Sequence, residues 1–547
     1  MEDRQWRACC ASLAPMATRH LCAYLVVPFR LSPQPLRHAR PQLFAISKLR
    51  LPFALVLILT GNTLLHFALG WALGLTGDEA HYALYAAHLD LSYYDHPPLV
   101  GWIQWPLVAL DAPAGLLRVI PEALWAITAV LIYAIAQRLQ GKLSESSGAA
   151  SSVGLWAVVA FAVAPMSHIL GIGLLPDTLL MTLTAAVLLQ TLRLQDAAEV
   201  RRLPAWLLLG GLLGLAGLAK YTAIFVAIPV VICLVVAHGW RVLWARGPWL
   251  ALLLAVGLVL PVLVWNAQHD WISFAYQLHH SSGSQWQWSQ MGLFALVQGL
   301  LYLLLTWGLV GLISRRTPEL GQRLSGPQWS LLAFFALPFG VLMALSGGGS
   351  GLPHWTAPAW VALTPFAGLG LAALWASGRR RLIWVLGSLQ GALCLALYAL
   401  MLSAGPPWVS SEKPPEPINP FTDFYGWDTA AAKAQQLAQT HNVHRLAVQN
   451  WTLVSRLAWY ARPLSVHVLD AAFDQSLLWS GELPLGADVL LMDWSQMAYQ
   501  LPVGAGQFQS CAPLDAFPVQ HWGRPVAHFA FHLCRGWGGK PQPLRQD

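Results

Sequence analysis

The sequence predicts a polytopic α-helical membrane protein with a small α/β domain at its C-terminus. Hydrophobic residues make up 56% of the 547 residues and charged residues only 10%, whereas soluble domains carry roughly 25% charged residues. Apolar runs of about 20 residues, the length that a helix needs to cross a bilayer, recur along the chain. A β-barrel would instead show shorter segments in which apolar and polar residues alternate.

Eleven apolar segments account for the region 48–403, which we expect to be the membrane domain. The fifth segment is the shortest of them and ends at Lys220. The predicted spans are 51–75, 116–137, 150–167, 174–193, 204–219, 222–238, 248–265, 292–314, 329–346, 355–377 and 382–403.

The distribution of charge gives the orientation. Segments assigned to the inside hold 21 Lys and Arg, while the outer loops before residue 404 hold only Arg118 and Lys220. Basic loops stay in the cytoplasm, so the N-terminus is predicted to be cytoplasmic. The net charge of +7 therefore reflects membrane topology, and we expect no nucleic acid partner. The predicted location is the bacterial inner membrane.

Three further regions flank the membrane domain. Residues 1–47 contain Arg, Pro and Cys without the apolar core of a signal peptide, and they are either a cytoplasmic tail or the product of an upstream start codon. A Pro-rich linker is predicted at 404–420. Residues 421–547 are predicted to be a periplasmic α/β domain, with strands in RLAVQN, VHVLD and DVLLMDW. Its Cys511 and Cys534 either form a disulfide or stay reduced.

The first outer loop begins with Asp78, and we single this residue out first. A carboxylate at a membrane boundary can act as a general base toward a hydroxyl or amine nucleophile. Tyr82 and Tyr85 would lie on its helical face. An equally good interpretation is that Asp78 is the N-cap of the helix that follows.

Other polar groups also lie at the outer ends of the spans. Asp95 and His96 precede two prolines, and this rigid corner either faces a cavity or is an ordinary turn. Asp177 is expected to face either a cavity or a cationic partner, and Lys220 is the candidate partner in terms of charge. Lys220 would otherwise bind a phosphate or extend to the interface. His354 either contacts a ligand or belongs, with Trp355, to the interfacial aromatic belt.

A divalent metal site formed by Asp78, Glu79, Asp95 and His96 is chemically reasonable, because carboxylates and imidazole suit several such ions. No ligand spacing in the sequence demands it. We therefore expect that no metal or other cofactor is required.

The stretch GDEAHYALYAAHLDLSYYDHPPLVGW at 77–102 resembles the first outer loop of bacterial members of the dolichyl-phosphate-mannose protein mannosyltransferase family. That branch includes the lipid A aminoarabinose transferase and polyprenyl-phosphate-dependent galacturonosyltransferases. LLPDTLL, GLAKYTA, WNAQHDWISFAYQ and PHWTAPAW follow in the order expected for the family. GWDTAAAKAQQLA and QNWTLVSRLAWYARP resemble its exported region, so the resemblance covers about 48–500.

The resemblance implies a GT-C glycosyltransferase. Such an enzyme moves a sugar, with inversion, from a polyprenyl-phosphate donor in the membrane lipid to a glycolipid such as lipid A, another glycan or a protein. By position, Asp78 would be the catalytic base or would orient the acceptor. Asp177 would be a second catalytic carboxylate, and Lys220 would contact the lipid phosphate. Further substrate contacts are expected from Glu79, Tyr82, Tyr94, Asp95, His96, Tyr221, His269 and His354.

Two other classes of protein fit parts of the pattern. Cavity carboxylates, a lysine and histidines also occur in proton-coupled transporters. A transporter, however, should place its ionisable residues near the middle of the spans, whereas these lie at outer ends and loops. The second alternative is an assembly factor that acts through its soluble domain, for which Asp78 and Lys220 would be dispensable.

Overall fold

The structure is a computed structural model, and it describes residues 52–140, 150–282, 285–314, 326–349, 351–409 and 419–542. The predicted tail at 1–47 and most of the predicted linker lie outside these residues. The helices are α1 (Phe53–Ala72), α2 (Gly77–Ala87), α3 (Leu99–Val108), α4 (Ala114–Leu117), α5 (Val119–Gln140), α6 (Ala150–Ala162), α7 (Pro165–Ile172), α8 (Pro176–Leu194), α9 (Leu203–Ala219), α10 (Ile224–His238), α11 (Arg246–Gln268), α12 (Ile272–Ser282), α13 (Trp288–Leu301), α14 (Leu303–Ser314), α15 (Gly326–Ser346), α16 (Ala357–Ala376), α17 (Arg380–Leu402), α18 (Trp427–Thr440), α19 (Trp451–Tyr460) and α20 (Gln475–Ser480). The strands are β1 (Arg445–Val448), β2 (Ser465–Val468), β3 (Val489–Trp494), β4 (Ser510–His521) and β5 (Arg524–Arg535).

Eight helices in the described part of the chain are long and apolar enough to cross a bilayer, and two bent helix pairs raise that number to as many as ten. The protein is therefore a multi-pass membrane protein. The predicted fifth span corresponds to α9, whose 17 residues fall short of the roughly 20 that a span needs. Each predicted span coincides with a helix or a bent pair, but the number of eleven stays a prediction.

The predicted third and eighth spans are not continuous helices. The third breaks between α6 and α7, which meet at 72°, because Pro165 supplies no N–H to the helical ladder. The eighth breaks between α13 and α14, which meet at 87°. There Gln390 on α17 donates to the Leu301 carbonyl at 3.0 Å and accepts from the Leu304 N–H at 2.7 Å. A buried amide from another helix thus replaces backbone bonds that the break removes.

Burial locates the centre of the bundle. Of the apolar 18-residue stretch in each helix, 83% of the residues are buried in α8 and 72% in the segment Pro353–Ala376. The share is only 22% in α1 and in α11. The less buried helices expose leucine, valine and tryptophan side chains, as helices in contact with lipid do. The two central segments begin beside Asp177 and His354. The core of the bundle therefore positions two of the predicted site residues.

The C-terminal domain contains a five-stranded sheet with the order β2-β1-β3-β5-β4. β1 pairs in parallel with β2 and with β3, and α19 forms the crossover between β1 and β2. β5 is antiparallel to both β3 and β4. The three predicted strands correspond to β1, β2 and β3, and apolar side chains of α18 and α19 pack on the sheet. The predicted small α/β domain is confirmed.

β4 and β5 form a long hairpin that the sequence analysis did not predict. Two prolines in β4 argue against a strand, but β4 is the edge of the sheet, where a missing N–H is tolerated. Trp522 and Gly523, with φ of 50° and 73°, form the two-residue turn. Cys511 and Cys534 lie opposite each other on the hairpin and form a disulfide. Of the two alternatives for these cysteines, a disulfide or two reduced thiols, the structure has the disulfide.

The C-terminal domain also holds the turn between α1 and α2. The Gly74 N–H donates to the Phe424 carbonyl at 3.2 Å, and the Leu75 N–H donates to the Tyr460 hydroxyl at 3.0 Å. Trp459 packs with Leu75 and with the apolar face of α2. A β-carbon at position 74 would lie 2.5 Å from the Phe424 carbonyl oxygen, so glycine permits this close approach.

Candidate active site

Thr76 fixes the start of α2. Its hydroxyl accepts from the Glu79 N–H at 3.2 Å, and the Glu79 carboxylate accepts from the Thr76 N–H at 3.1 Å. This reciprocal arrangement is a capping box. The interpretation of Asp78 as the N-cap is therefore wrong, because Thr76 has that role. Asp78 is the second residue of the helix, where the helix dipole favours a carboxylate.

Asp78 is free to interact with a ligand. In the part of the chain that the structure describes, its carboxylate makes no hydrogen bond or ion pair, and the side chain is exposed. The chain around it still displaces much of the nearby water. This desolvation raises the pKa of Asp78, and the nearby negative charges of Asp423 and Asp95 raise it further. Attraction to His354 and His81 lowers it, but by less. An unpaired carboxylate with a raised pKa is suited to accept a proton.

Asp177 and Lys220 form a buried ion pair. Lys220 Nζ donates to the two carboxylate oxygens of Asp177 at 2.7 and 2.6 Å, so the partnership predicted from charge is confirmed. His354 Nε2 lies 3.7 Å from the same carboxylate, and Lys220 Nζ lies 5.2 Å from the centroid of the Trp355 ring. An ammonium group has three N–H donors. One donor of Lys220 therefore remains beyond the two that Asp177 accepts.

His354 and Tyr82 connect this ion pair with Asp78. His354 interacts electrostatically with both Asp78 and Asp177. Tyr82 on α2 is buried, and its hydroxyl is close enough to Asp78, Asp95 and Asp177 to interact with all three. The structure thus brings together the two carboxylates that were predicted from separate segments of the chain.

Asp95 and His81 form a second charged cluster. His81 Nε2 lies 3.2 Å from both Asp95 oxygens, His81 Nδ1 lies 3.1 Å from Ser455 Oγ of the C-terminal domain, and the Tyr85 hydroxyl also donates to Asp95. Desolvation opposes the charged form of each group, but their mutual attraction and hydrogen bond outweigh it. The pKa of His81 is raised and the pKa of Asp95 is held well below its ordinary value. Both shifts therefore favour the ionised pair at neutral pH.

His96 is neutral at the same pH. Desolvation, with a further contribution from Lys220, lowers the pKa of His96 to about 4. Its Nδ1 is buried and has no hydrogen-bond partner in the described chain, and its ring lies 5.7 Å from that of Tyr82. His96 therefore brings an uncharged imidazole with a free ring nitrogen to the Asp95 side of the cluster.

Glu79 has a different environment from its neighbour Asp78. Nε and Nη2 of Arg118 donate to its two oxygens, each at 2.7 Å, and both side chains are buried. The other N–H groups of Arg118 donate to the carbonyls of Gly70, Leu73 and Gly74 at the end of α1. This geometry joins α1 to α2 and gives no support to the predicted substrate contact of Glu79.

Three other predicted contacts lie at the margin of the site. The ring of Tyr94 lies 4.8 Å from that of Tyr276, which interacts electrostatically with Asp95 and Asp78. The hydroxyl of Tyr221 is buried. His269 stacks on Trp265 at 3.9 Å. Tyr94 flanks the cluster, whereas Tyr221 and His269 pack within the protein.

Sequence reasoning missed two sets of residues. Arg118 had a detectable signal, because it is one of only two basic residues in the predicted outer loops. Asp423 and Arg456 form an ion pair at 2.5 Å, and the Arg456 guanidinium lies 4.1 Å from the centroid of the Trp427 ring. No motif links this pair to Asp78, although Asp423 contributes to the raised pKa of Asp78.

The alternative metal site is not assembled. The described residues contain no group of three or more His, Cys, Asp or Glu side chains arranged to hold a metal ion. Of the four residues considered, Glu79 is committed to Arg118 and Asp95 to His81.

Comparisons with known proteins find similarity to membrane glycosyltransferases. A family model described as dolichyl-phosphate-mannose-protein mannosyltransferase matches residues 95–265. This match includes Asp177 and Lys220 but not Asp78. The chain is 23% identical over 320 residues to the lipid A galacturonosyltransferase RgtD from Rhizobium johnstonii, covering 55% of this chain and 62% of the relative. The aligned region thus spans less than two thirds of that relative.

Two solved structures share the fold. ArnT from Cupriavidus metallidurans in the apo state matches with a TM-score of 0.58 and 15% identity, covering 87% of this chain and 97% of ArnT. ArnT bound to undecaprenyl phosphate matches with a TM-score of 0.57 and 14% identity over the same shares of the two chains. These likenesses show that the chain shares its fold with ArnT over most of both chains.

Proposed function

We propose that the chain is a GT-C glycosyltransferase that transfers a sugar from a polyprenyl-phosphate donor to an acceptor in the bacterial cell envelope. The acceptor is a glycolipid such as lipid A, another glycan or a protein, and the reaction takes place at the periplasmic face of the inner membrane. The convergence of the unpaired Asp78 with the Asp177–Lys220 pair carries this proposal. A relative named for lipid A and an ArnT structure with undecaprenyl phosphate support the substrate classes.

In this proposal Asp78 is the general base. It accepts the proton of an acceptor hydroxyl while the hydroxyl oxygen attacks the anomeric carbon of the sugar. The bond from that carbon to the phosphate oxygen breaks, and the polyprenyl phosphate leaves with the electron pair. Attack opposite the leaving group inverts the anomeric configuration. The raised pKa of Asp78 makes it a stronger base than an ordinary carboxylate.

Lys220 stabilises the leaving group. Its third N–H donates to the phosphate oxygen on which negative charge develops, and the Asp177 carboxylate holds the ammonium in place through its two hydrogen bonds. Donors fixed before the reaction stabilise such charge without reorganising during it. A lysine in this position acts on phosphate as a point charge.

The substitution Asp78→Asn tests the proposal, because it keeps the shape of the side chain and removes the base. We expect the rate of sugar transfer to fall by about 10²–10⁴-fold, with donor binding and membrane insertion unchanged. The measurement is mass spectrometry of glycolipid products from vesicles that contain the full-length protein. Asp111→Asn is the matched control, since it removes an exposed carboxylate from the same outer loop. Normal transfer by the Asp78 variant would remove this residue from the mechanism.

One observation favours the alternative of a proton-coupled transporter. His66 Nδ1 lies 2.5 Å from Glu122 and His66 Nε2 lies 2.6 Å from His168 Nδ1, which links α1, α5 and α7 by buried titratable groups. Such chains occur in proton relays, although these contacts also serve to hold three helices together. A transporter would lose proton flux into dye-loaded vesicles on Glu122→Gln. If the protein is a glycosyltransferase, we expect no proton flux with the wild-type protein or with Glu122→Gln.

A further inference from the structure

A cleft of about 560 Å³ lies where the ends of α9, α10 and α11 meet. α9 runs from Leu203 beside this cleft to Ala219, which precedes Lys220. The cleft and the candidate active site therefore lie at opposite ends of the same helix. By the distribution of basic loops, the cleft is on the face predicted to be cytoplasmic.

Three arginines line the cleft, namely Arg201, Arg241 and Arg246. Within the described residues none of them forms an ion pair. His238 also lines the cleft, but its Nε2 is hydrogen-bonded to a backbone carbonyl at 2.7 Å. Like charges that share a cleft repel one another. An anion between the three guanidinium groups would remove this cost.

The acidic residues of the neighbouring segment do not supply that anion. Glu199 accepts from Arg202 at 2.8 Å, and Asp196 pairs with Arg138. Both carboxylates thus already have cationic partners. The cleft keeps the positive charge of its own side chains.

Two helix N-termini add to this positive potential. α9 and α11 both begin at the cleft, and the residues that precede them, Arg202 and Ala245, provide no side-chain cap. Pro204 and Pro248 remove one N–H group from each first turn, and the Ala205 N–H donates to the Arg202 carbonyl at 3.1 Å. The helix dipole is nevertheless positive at this end. The surroundings of the cleft therefore suit a phosphate group.

Exposed tryptophans place the cleft at the level of lipid headgroups. Trp240, Trp244 and Trp249 are 62%, 74% and 52% exposed, and they lie in or next to the segment that joins α10 to α11. Tryptophan is enriched at the interface between membrane and water. The Arg241 guanidinium lies 6.0 Å from the centroid of the Trp240 ring, so charge and aromatic belt are adjacent.

We propose that this cleft binds the phosphate of an anionic phospholipid headgroup. The three guanidinium groups donate to the phosphate oxygens, and basic pockets between helices at the cytoplasmic surface are suited to such lipids. The exposed tryptophans would lie beside the glycerol and upper acyl region. This site is separate from glycosyl transfer, and its occupancy does not depend on the donor or the acceptor.

Native mass spectrometry of the full-length protein in an uncharged detergent tests the proposal. The protein is titrated with phosphatidylglycerol, with phosphatidylcholine and with inorganic phosphate. We expect one phosphatidylglycerol to bind in preference to phosphatidylcholine. The triple substitution Arg201→Gln, Arg241→Gln, Arg246→Gln should weaken this binding by roughly a hundredfold, since each basic side chain near anionic lipid contributes about 1 kcal/mol.

The matched control replaces the three consecutive arginines at 379–381 by glutamine. These arginines are exposed and predicted to be on the same face. Their replacement removes the same charge as the cleft variant and should leave lipid binding unchanged. Triple replacement of the cleft arginines by lysine should restore most of the affinity and shows that the loss is not due to misfolding. Competition by inorganic phosphate would show that the phosphate group alone is recognised. Equal binding of the two lipids, or equal loss in the control, would overturn the proposal.

Discussion

Two buried ion pairs, Glu79–Arg118 and Asp177–Lys220, have nearly the same geometry but different surroundings. Arg118 contacts Glu79 at 2.7 Å, and Lys220 contacts Asp177 at 2.6 and 2.7 Å. All four side chains are almost completely buried. Burial and pairing alone therefore do not tell a structural pair from a functional one.

The difference lies in the donors that remain. The five N–H groups of a guanidinium match the five bonds of Arg118, two to Glu79 and three to the carbonyls of Gly70, Leu73 and Gly74. Among the residues that the structure describes, Lys220 uses two of its three donors. A saturated pair fixes the end of a helix, whereas a pair with a spare donor can receive a ligand.

Breaking the saturated pair should have the larger effect on stability. Arg118→Met leaves the buried Glu79 carboxylate without a cationic partner, and we expect the free energy of unfolding to fall by about 3–5 kcal/mol. The measurement is thermal unfolding of the protein in detergent. The double variant Arg118→Met, Glu79→Leu should recover part of the loss, because it leaves no buried charge unpaired. A single variant as stable as wild type would contradict the structural role.

Breaking the Asp177–Lys220 pair should affect the donor more than the fold. Lys220→Met removes a charge-assisted hydrogen bond worth about 1.5–3 kcal/mol, so we expect the apparent KM for the polyprenyl-phosphate donor to rise by roughly 10–100-fold. His354 remains next to Asp177 and limits the loss of stability relative to Arg118→Met. An unchanged donor KM would exclude the proposed contact with the phosphate.

A smaller effect is expected from the contact that positions the turn before Asp78. Tyr460→Phe removes the hydroxyl that accepts from the Leu75 N–H, a bond worth about 1 kcal/mol. We expect kcat to fall a few-fold with little change in donor KM, since the turn carries the base and not the phosphate contact. Tyr425→Phe is the control, because its hydroxyl donates to the Met401 carbonyl. Equal effects of the two substitutions would remove the specific role of Tyr460.

The smallest expected effect is a shift in pH dependence. Asp78 acts as a base only when ionised, so kcat/KM should fall as the pH drops through its raised pKa. His81 carries a positive charge that lowers the pKa of Asp78. His81→Gln should therefore raise the pKa of Asp78 and move the acidic limb of the profile to higher pH. A shift toward lower pH would contradict the assignment of this limb to Asp78.

The sequence predicted part of the site because unusual residue types stood out against an apolar background. Asp78, Asp177 and Lys220 are rare groups at the ends of apolar segments, and the structure brings them together through His354. Glu79 stood out in the sequence for the same reason as its neighbour Asp78. Consecutive residues of a helix point in different directions, so Glu79 faces Arg118 and not the site. The partner of Glu79 is far along the chain, so its true environment was not accessible from local pattern.

The fold shows the same limit. The apolar segments predicted the positions of the helices that are candidate spans, and short apolar runs predicted three of the five strands. The orientation of the chain stays a prediction. The break before α14 depends on Gln390 from α17, which no local signal reveals. The hairpin of β4 and β5 escaped prediction because two prolines obscured the strand pattern. Long-range contacts, and not composition, decide these features.

A structure of Asp78→Asn with a bound polyprenyl-phosphate sugar, determined by electron cryo-microscopy, would test most directly whether Asp78 and Lys220 act on the same donor. The account predicts that a phosphate oxygen lies within hydrogen-bond distance of Lys220 Nζ and that the side chain at position 78 faces the anomeric carbon. A donor whose phosphate contacts neither Lys220 nor the space in front of residue 78 would contradict it.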